Sequence, residues 1–286
     1  MSSIFKKKLR QAAGFGSNRF SISGAAPINP KILEFFHYLG IPIYEGYGMT
    51  ENTAGISINY GGGNKIGSVG KCMPFFDLKI ASDGEVLIKG DNVMKGYYKN
   101  PKATEETIID GWLQTGDVGK IDSDGYLFIT GRKKEIYVSS SGKNVAPLVI
   151  EESMKSIPIV SQCFLVGDNR KFCSALITLD MSVILRDHIG VDVNEIPKDP
   201  SKQNEMILAN NKKLSDYTDN QDIFEKVSDD VQKLNQNFSS PEQIKKFSIL
   251  PRDFSIDDGE LTPTLKIRRK QINENWASVI EDMYSE

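Results

Sequence analysis

Tyr47-Gly48-Met49-Thr50-Glu51 places an aromatic ring, a hydroxyl and a carboxylate within one short stretch. Such a ring can stack on a base, the hydroxyl can donate to a phosphate oxygen, and the carboxylate can hold Mg2+. The plain alternative is a polar loop that follows a strand. Asp117 comes directly after Thr115-Gly116. A lone carboxylate in a Gly-flanked turn can accept both hydroxyls of a ribose, or it can simply bond its own backbone, as turn carboxylates do. Further on, Glu260-Leu261-Thr262-Pro263-Thr264-Leu265-Lys266 presents one lysine just before Ile267-Arg268-Arg269-Lys270. An ammonium carried by a Pro-Thr turn can sit on a transferring phosphate. The competing reading is a solvated, basic helix start.

Other stretches have suggestive composition and the wrong spacing. Asp122-Ser123-Asp124-Gly125 looks like the head of a calcium loop, but the later ligand positions fall on Tyr126, Leu127 and Lys133 instead of the acidic residue, Gly and Glu that such a loop needs. A hairpin turn is the better reading. Ser139-Ser140-Ser141-Gly142-Lys143 has the composition of a phosphate cradle, yet Tyr137 and Asn144 stand where G-x-x-x-x-G-K-S/T requires Gly and Ser or Thr. The cations at Lys266–Lys270 have no interleaved aromatic residues, and the net charge of −3 opposes a nucleic-acid reading. With only His37 and His188, a His-rich metal site and a Ser/His triad are both disfavoured. Cys72, Cys163 and Cys173 do not cluster and have no CxxC spacing, which suits a reducing compartment.

The elements that must position these residues follow from periodicity. Residues 3–13 read as an amphipathic helix, 19–23 as a strand, 23–27 as a small-residue turn, 30–39 as a helix with a wide apolar face, and 41–44 as a strand. Alternation of this kind is the mark of a parallel sheet, which holds ligands at the carboxyl ends of its strands. Between 67 and 131 the pattern shifts to short strands, with hairpins expected at 78–89 and 118–129, a short helix at 101–108, and a barrel-like closure. Apolar alternation stops at Gly131, and Arg132-Lys133-Lys134-Glu135 leads to an exposed joint. Beyond it the pattern predicts a strand at 136–139, a helix at 147–155 and apolar strands at 160–166 and 175–179. The stretch 190–221 reads as a polar excursion. A helix follows over 222–238, then a strand at 246–250 and a last helix carrying Ile272, Trp276, Val279, Ile280 and Met283.

A length of 286 residues favours two domains, and 39% hydrophobic with 26% charged residues is ordinary for a globular chain. No apolar run approaches the ~20 residues of a spanning helix. The N-terminus has no apolar core after its basic residues, as a signal peptide would.

Taken in order, the stretches SGAAP (23–27), YEGYGMTE (44–51), GEVLIKGDNVMKGYYKNPKAT (84–104), WLQTGDVGKIDSDGYLFITGRKKE (112–135), SSSGKNVAPLVIE (139–151) and GELTPTLKIRRK (259–270) resemble the adenylate-forming superfamily, and within it the long-chain fatty acyl-CoA synthetases. The resemblance spans nearly the whole chain. It implies an α/β and α+β fold: the C-terminal part of a large adenylation domain, with a parallel sheet and a β-rich subdomain, followed by a small mobile α+β domain. The corresponding boundaries are 1–66, 67–132 and 133–286, with the polar insertion near 190–221.

The resemblance also implies a reaction. A fatty acid and ATP give an acyl-adenylate and pyrophosphate, and CoA then displaces AMP to form the thioester. Carried over by position, Gly24, Ala25 and Tyr47 would line the adenine pocket, Thr50 would touch phosphate and Glu51 would hold Mg2+. Asp117 and Arg132 would bind the ribose, Lys134 would be the hinge, Gly142 would belong to the loop that approaches CoA, and Lys266 would neutralise charge during adenylation. Members of this family carry a Ser/Thr/Gly-rich phosphate loop ending in Lys upstream of the SGAAP turn, and nothing before Ser23 matches it. The expectation is therefore the C-terminal portion of such a ligase, truncated or completed by a second polypeptide, in the cytoplasm or peripheral on an intracellular membrane. The alternative is a non-catalytic or vestigial nucleotide-binding fragment.

Overall fold

The computed structural model describes residues 3–139 and 142–285, and the chain divides into two units, Met1–Glu135 and Ile136–Glu286. In the first, helix α1 (Ser3–Ala12) precedes strand β1 (Ser21–Ser23) and helix α2 (Pro30–Tyr38). Asn29 caps α2 by accepting from the Lys31 N–H at 2.9 Å, and Pro30 takes the first helical position, where no N–H is needed. Of the apolar stripe, Leu33 is buried while Ile32 and Phe35 remain exposed. Strand β2 (Ile43–Tyr47) pairs parallel with β1, Ser23 opposite Glu45. It runs further than the apolar pattern suggests. Gly46 and Tyr47 pair antiparallel with Ile58 and Ser57 of β3 (Ser57–Ile58), so ladder bonds, not side-chain alternation, set its end. Strand β4 (Lys71–Cys72) completes a sheet in the order β1-β2-β3-β4.

Strands β5 (Asp77–Ile80) and β6 (Glu85–Lys89) form the expected hairpin. Helix α3 (Pro101–Thr107), capped by Asn100, leads to β7 (Ile108–Ile109), β8 (Trp112–Ile121) and β9 (Leu127–Arg132). The sheet order is β5-β6-β8-β7, with β9 also on β8; among the described residues it stays open and forms no barrel. Strand β8 is longer than the expected hairpin arm, because Leu113 and Gln114 pair with Ile88 and Leu87 of β6 before Gly116, and Val118 pairs with Glu85 beyond it. Ile56, Val86, Ile88, Leu113 and Leu127 make the core, with Tyr47 and Met49 packed against it.

The second unit opens with a small hairpin, β10 (Tyr137–Val138) and β11 (Asn144–Val145), then α4 (Pro147–Met154). Its central sheet has β12 (Val160–Val166) antiparallel to β13 (Cys173–Leu179), and β13 parallel to β14 (Ile244–Ile249). Around it lie α5 (Met181–Val183), which runs into a π-helical segment Ile184–Ile189, then α6 (Pro200–Ala209) and α7 (Gln221–Asn235). Helices α8 (Arg269–Asn275) and α9 (Ala277–Tyr284) close the chain. Every residue of β13 is buried, which explains why its apolar residues do not alternate: both faces are covered, and the polar Ser174 and Thr178 are buried as well. Ile150, Ile177, Val227 and Val231 pack in one cluster, and Phe164, Leu176, Ile272 and Ile280 in the other.

Two expectations need correction here. The stretch 190–221 is not a bare excursion. Asp199 caps α6 with Pro200 at its first position, and Ile207, Leu214 and Tyr217 enter the core. The last helix is two, broken where Trp276 leaves helical geometry (φ −111°, ψ 21°). Among the described residues no helix is long and apolar enough to cross a membrane.

Candidate functional site

The end of β2 gathers most of the residues singled out from the first unit. Gly24, at the end of β1, faces the Gly46 carbonyl across the parallel pair; a Cβ there would lie 3.2 Å from that oxygen. The turn between them is latched by Glu45, whose Oε1 accepts from the Ile28 N–H at 3.2 Å. Burial pushes the Glu45 carboxyl above its usual range, and the Ile28 N–H only partly offsets this. Ala25 (φ 69°), Thr53 (φ 60°) and Ala54 (φ 81°) all occupy the left-handed region that non-glycine residues rarely adopt. Strain thus collects on both sides of this strand end. Gly48 has no alternative: a Cβ would stand 1.6 Å from the Ala54 carbonyl oxygen.

Tyr47 leaves β2 and donates its hydroxyl to Asp117 Oδ2 at 2.6 Å. Asp117 Oδ1 accepts from Arg132 Nε at 3.0 Å. Asp117 and Arg132 are directly opposite in the β8–β9 ladder, so the register itself makes the pair. The carboxylate is almost wholly buried (4% exposed), whereas the Arg132 side chain is 54% exposed. Asp117 therefore does not sit in a turn, as its Gly neighbour suggests. It lies inside β8 at a bulge, where the pairing with β6 slips between Glu85 and Leu87. Gly116 (φ 71°) makes that bulge sterically acceptable. The Tyr47 hydroxyl titrates above its normal range, through burial first and then the Asp117 charge and hydrogen bond, so it remains a proton donor.

Thr50 and Glu51 lie in a short 3-10 turn, Thr50–Asn52, just past β2. Thr50 is exposed. Glu51 Oε1 accepts from the Tyr97 hydroxyl at 3.0 Å, and its carbonyl accepts from the Met94 N–H at 2.7 Å. Lys134 is exposed in the turn after β9.

Gly142 and Lys266 belong to the second unit, each on a tight loop. Gly142 (φ 76°) closes the β10–β11 hairpin by donating to the Ser139 carbonyl at 2.8 Å. Ser140 and Ser141 of the expected turn lie outside the described residues. The hairpin is rooted by Tyr137, buried with its hydroxyl 3.3 Å from Cys173 Sγ. Lys266 is exposed at the end of a turn closed by the Leu261–Ile267 bridge and by Thr262, whose Oγ1 accepts from the Lys266 N–H at 3.0 Å. At the foot of this turn stands Glu260, fully buried (0% exposed). It accepts two bonds from Arg252 (2.7 and 2.9 Å), one from Trp276 Nε1 (2.8 Å), one from Asn275 (3.1 Å) and one from the Ser255 N–H (3.1 Å).

These groups can be tested against a nucleotide. A carboxylate has about four acceptor sites. Tyr47 and Arg132 use one on each oxygen of Asp117, which leaves a site on each for a vicinal diol. For a divalent ion the fit is narrower. Among the described residues no group of three or more His, Cys, Asp or Glu converges on a metal position, so Glu51 would be a single protein ligand and phosphate oxygens and water would complete the shell.

Residue types alone do not point to Glu45, Glu85, Tyr97 and Glu260. Each is a charged or polar residue in an ordinary strand or turn pattern, and only the ladder register or the tertiary packing gives it a partner.

The model for "AMP-binding enzyme" matches residues 1–98, and the model for "AMP-binding enzyme C-terminal domain" matches residues 134–189 and 200–286. A long-chain-fatty-acid–CoA ligase of Mycobacterium bovis is 42% identical over 98% of this chain, which corresponds to 44% of that protein. A human long-chain-fatty-acid–CoA ligase is 33% identical over 98% of the chain and 40% of its own length. The chain thus spans less than half the length of these relatives. Among solved structures, the AMP-bound A-PCP didomain of a carboxylic acid reductase from Segniliparus rugosus superposes with a TM-score of 0.71 at 21% identity, over 99% of this chain and 37% of that one. O-succinylbenzoate coenzyme A synthetase from Bacillus subtilis, in complex with ATP and magnesium, gives 0.61 at 24% identity over 89% and 46%. At these identities the two structures speak for the fold.

Proposed function

The chain belongs to the AMP-binding enzyme family, and from that premise we propose that it carries the nucleotide-holding and thioester-forming parts of an ATP-dependent long-chain fatty acid–CoA ligase. The observation that supports this most is the Tyr47–Asp117–Arg132 constellation, held by strand register at the end of a parallel strand. The identity to named ligases supports the choice of a fatty acid over other carboxylic acids.

In this reading Asp117 accepts the ribose hydroxyls, and Arg132 holds its carboxylate in place through the pair with Oδ1. Tyr47, Gly24 and Ala25 line the adenine side, and Thr50 donates to phosphate. Glu51 is the protein ligand for Mg2+, which when bound neutralises phosphate charge. In the first half-reaction a carboxylate oxygen of the fatty acid bonds to the α-phosphorus of ATP and pyrophosphate leaves. Lys266 offsets the charge that develops there. In the second, the CoA sulfur bonds to the acyl carbon and AMP leaves, with the Gly142 loop alongside the pantetheine arm. Lys134 borders the boundary between the two units and is the pivot that lets the second unit present Lys266 and then Gly142. The free thiols of Cys72, Cys163 and Cys173 support a reducing, cytoplasmic setting, and a fatty-acid substrate would suit peripheral contact with a membrane.

The test separates the half-reactions. Fatty-acid-dependent exchange of pyrophosphate into ATP reads adenylation, and thioester formation from supplied acyl-adenylate and CoA reads the second step. Lys266→Ala should slow the first about 10²- to 10³-fold and spare the second. Equal loss of both would remove Lys266 from its role. Nucleotide binding by the wild-type chain with neither half-reaction would establish the non-catalytic reading instead.

A further inference from the structure

Glu85 opens β6 next to the bulge that carries Asp117, yet it is a carboxylate that is only 5% exposed. Its Oε1 accepts from the Gly116 N–H at 2.8 Å, and its Oε2 from Lys133 Nζ at 2.7 Å. Lys133 in turn donates its backbone N–H to the Gly116 carbonyl at 2.8 Å, and its ammonium also reaches Asp83 Oδ2 at 2.6 Å. Both polar groups of the Gly116 peptide backbone are thus captured, one by the side chain of Glu85 and the other by the backbone of Lys133. Thr115 closes the other side: it donates Oγ1 to the Val86 carbonyl at 2.7 Å and accepts from the Asp117 N–H at 3.1 Å. Lys133 directly follows Arg132, so the segment that delivers the guanidinium to Asp117 is the same one that holds Gly116.

A nearly buried carboxylate pays a desolvation penalty that an apolar pair would avoid, so stability is a weak reason for its presence. What the ion pair supplies is direction. We propose that Glu85 and Lys133 are positioning residues for Asp117: they clamp the Gly116 bulge so that the carboxylate stays aimed at the ribose diol. The inference rests on the reading of Asp117 as the ribose acceptor.

The experiment compares AMP with 2′,3′-dideoxy-AMP, which lacks the hydroxyls that Asp117 would accept, by calorimetric titration of the full chain. Wild type should bind AMP about 10- to 100-fold more tightly than the dideoxy nucleotide, as expected for hydrogen bonds to a charged acceptor. Glu85→Ala should weaken AMP about tenfold or more while leaving the dideoxy affinity unchanged, closing the gap. Glu85→Gln keeps an acceptor for the Gly116 N–H and should restore part of it. Lys133→Gln, a half-exposed position, should narrow the gap too and serves if Glu85→Ala does not fold. Equal weakening of both nucleotides, or an unchanged gap in Glu85→Ala and Lys133→Gln, overturns the clamp. No gap in the wild type, or no binding, overturns the ribose reading itself and the clamp with it.

Discussion

Asp117 is held by a neutral donor on one oxygen and a cationic donor on the other, and the two should not be equivalent. Losing Tyr47's hydroxyl in Tyr47→Phe removes one bond from a carboxylate that keeps its charge partner, a loss of about 1–3 kcal/mol. Arg132→Ala removes the ion-pair partner that the nearly buried Asp117 has among the described residues and should weaken AMP more than Tyr47→Phe does; titration of both variants ranks them. Glu260 provides the pH signature. Its burial alone would raise the carboxyl, but the bonds from Arg252, Asn275 and the Ser255 N–H outweigh that and lower it below the usual glutamate range. A depressed folded pKa contributes stability above the unfolded value, and that contribution is lost as pH falls through the folded one. On acidification below about pH 4.3, the fluorescence of Trp276, bonded to Glu260 at 2.8 Å, should therefore change with loosening of the Lys266 turn. Glu260→Gln should remove that step. Residue types made Tyr47 and Asp117 visible one at a time, and Arg132 entered only through the family resemblance. That Tyr47 and Asp117 touch across a separation of 70 residues is a product of the fold, and no local pattern contains it.

The elements show where periodicity carries information and where it fails. Helix α7, with one buried face, was legible because a 3.6-residue stripe leaves a direct mark, and β12, buried on both faces over Cys163–Val166, was legible as an apolar run. The β8 bulge was not, since it arises from a register slip against β6, and a Gly before an Asp reads equally well as a turn. Gly116→Val tests the element itself. A β-branched residue at φ 71° should cost about 1–3 kcal/mol and displace Asp117, so chemical denaturation and AMP affinity should fall together. The stretch 190–221 reads as polar because its composition is polar. Ile207, Leu214 and Tyr217 are too few, and too interrupted by the break after α6, to form a stripe. Ile207→Ala should nonetheless destabilise the second unit by about 2–5 kcal/mol, the range for emptying a buried aliphatic site; a ΔΔG near zero in denaturant titration would mean that α6 does not contribute to that core.

At the scale of the whole molecule, family membership accounts for the order of the motifs along the chain, and the structure accounts for how each unit presents its own share of them. The first unit holds the carboxylate, guanidinium and aromatic ring expected around an adenosine. The second carries the Lys266 turn and the Gly142 hairpin, each braced by buried partners, Glu260 and Tyr137. The apolar side chains of Ile32 and Phe35 on α2, and of Phe20 and Ile22 before it in sequence, stay exposed in the first unit. The claim on which the rest depends is that Asp117 holds a ribose. Calorimetric titration of AMP into the wild-type chain and into Asp117→Ala tests it most directly. The account predicts saturable binding that weakens about 10- to 100-fold in the variant. Equal affinity in the two proteins, or no saturable binding by the wild type, would contradict it.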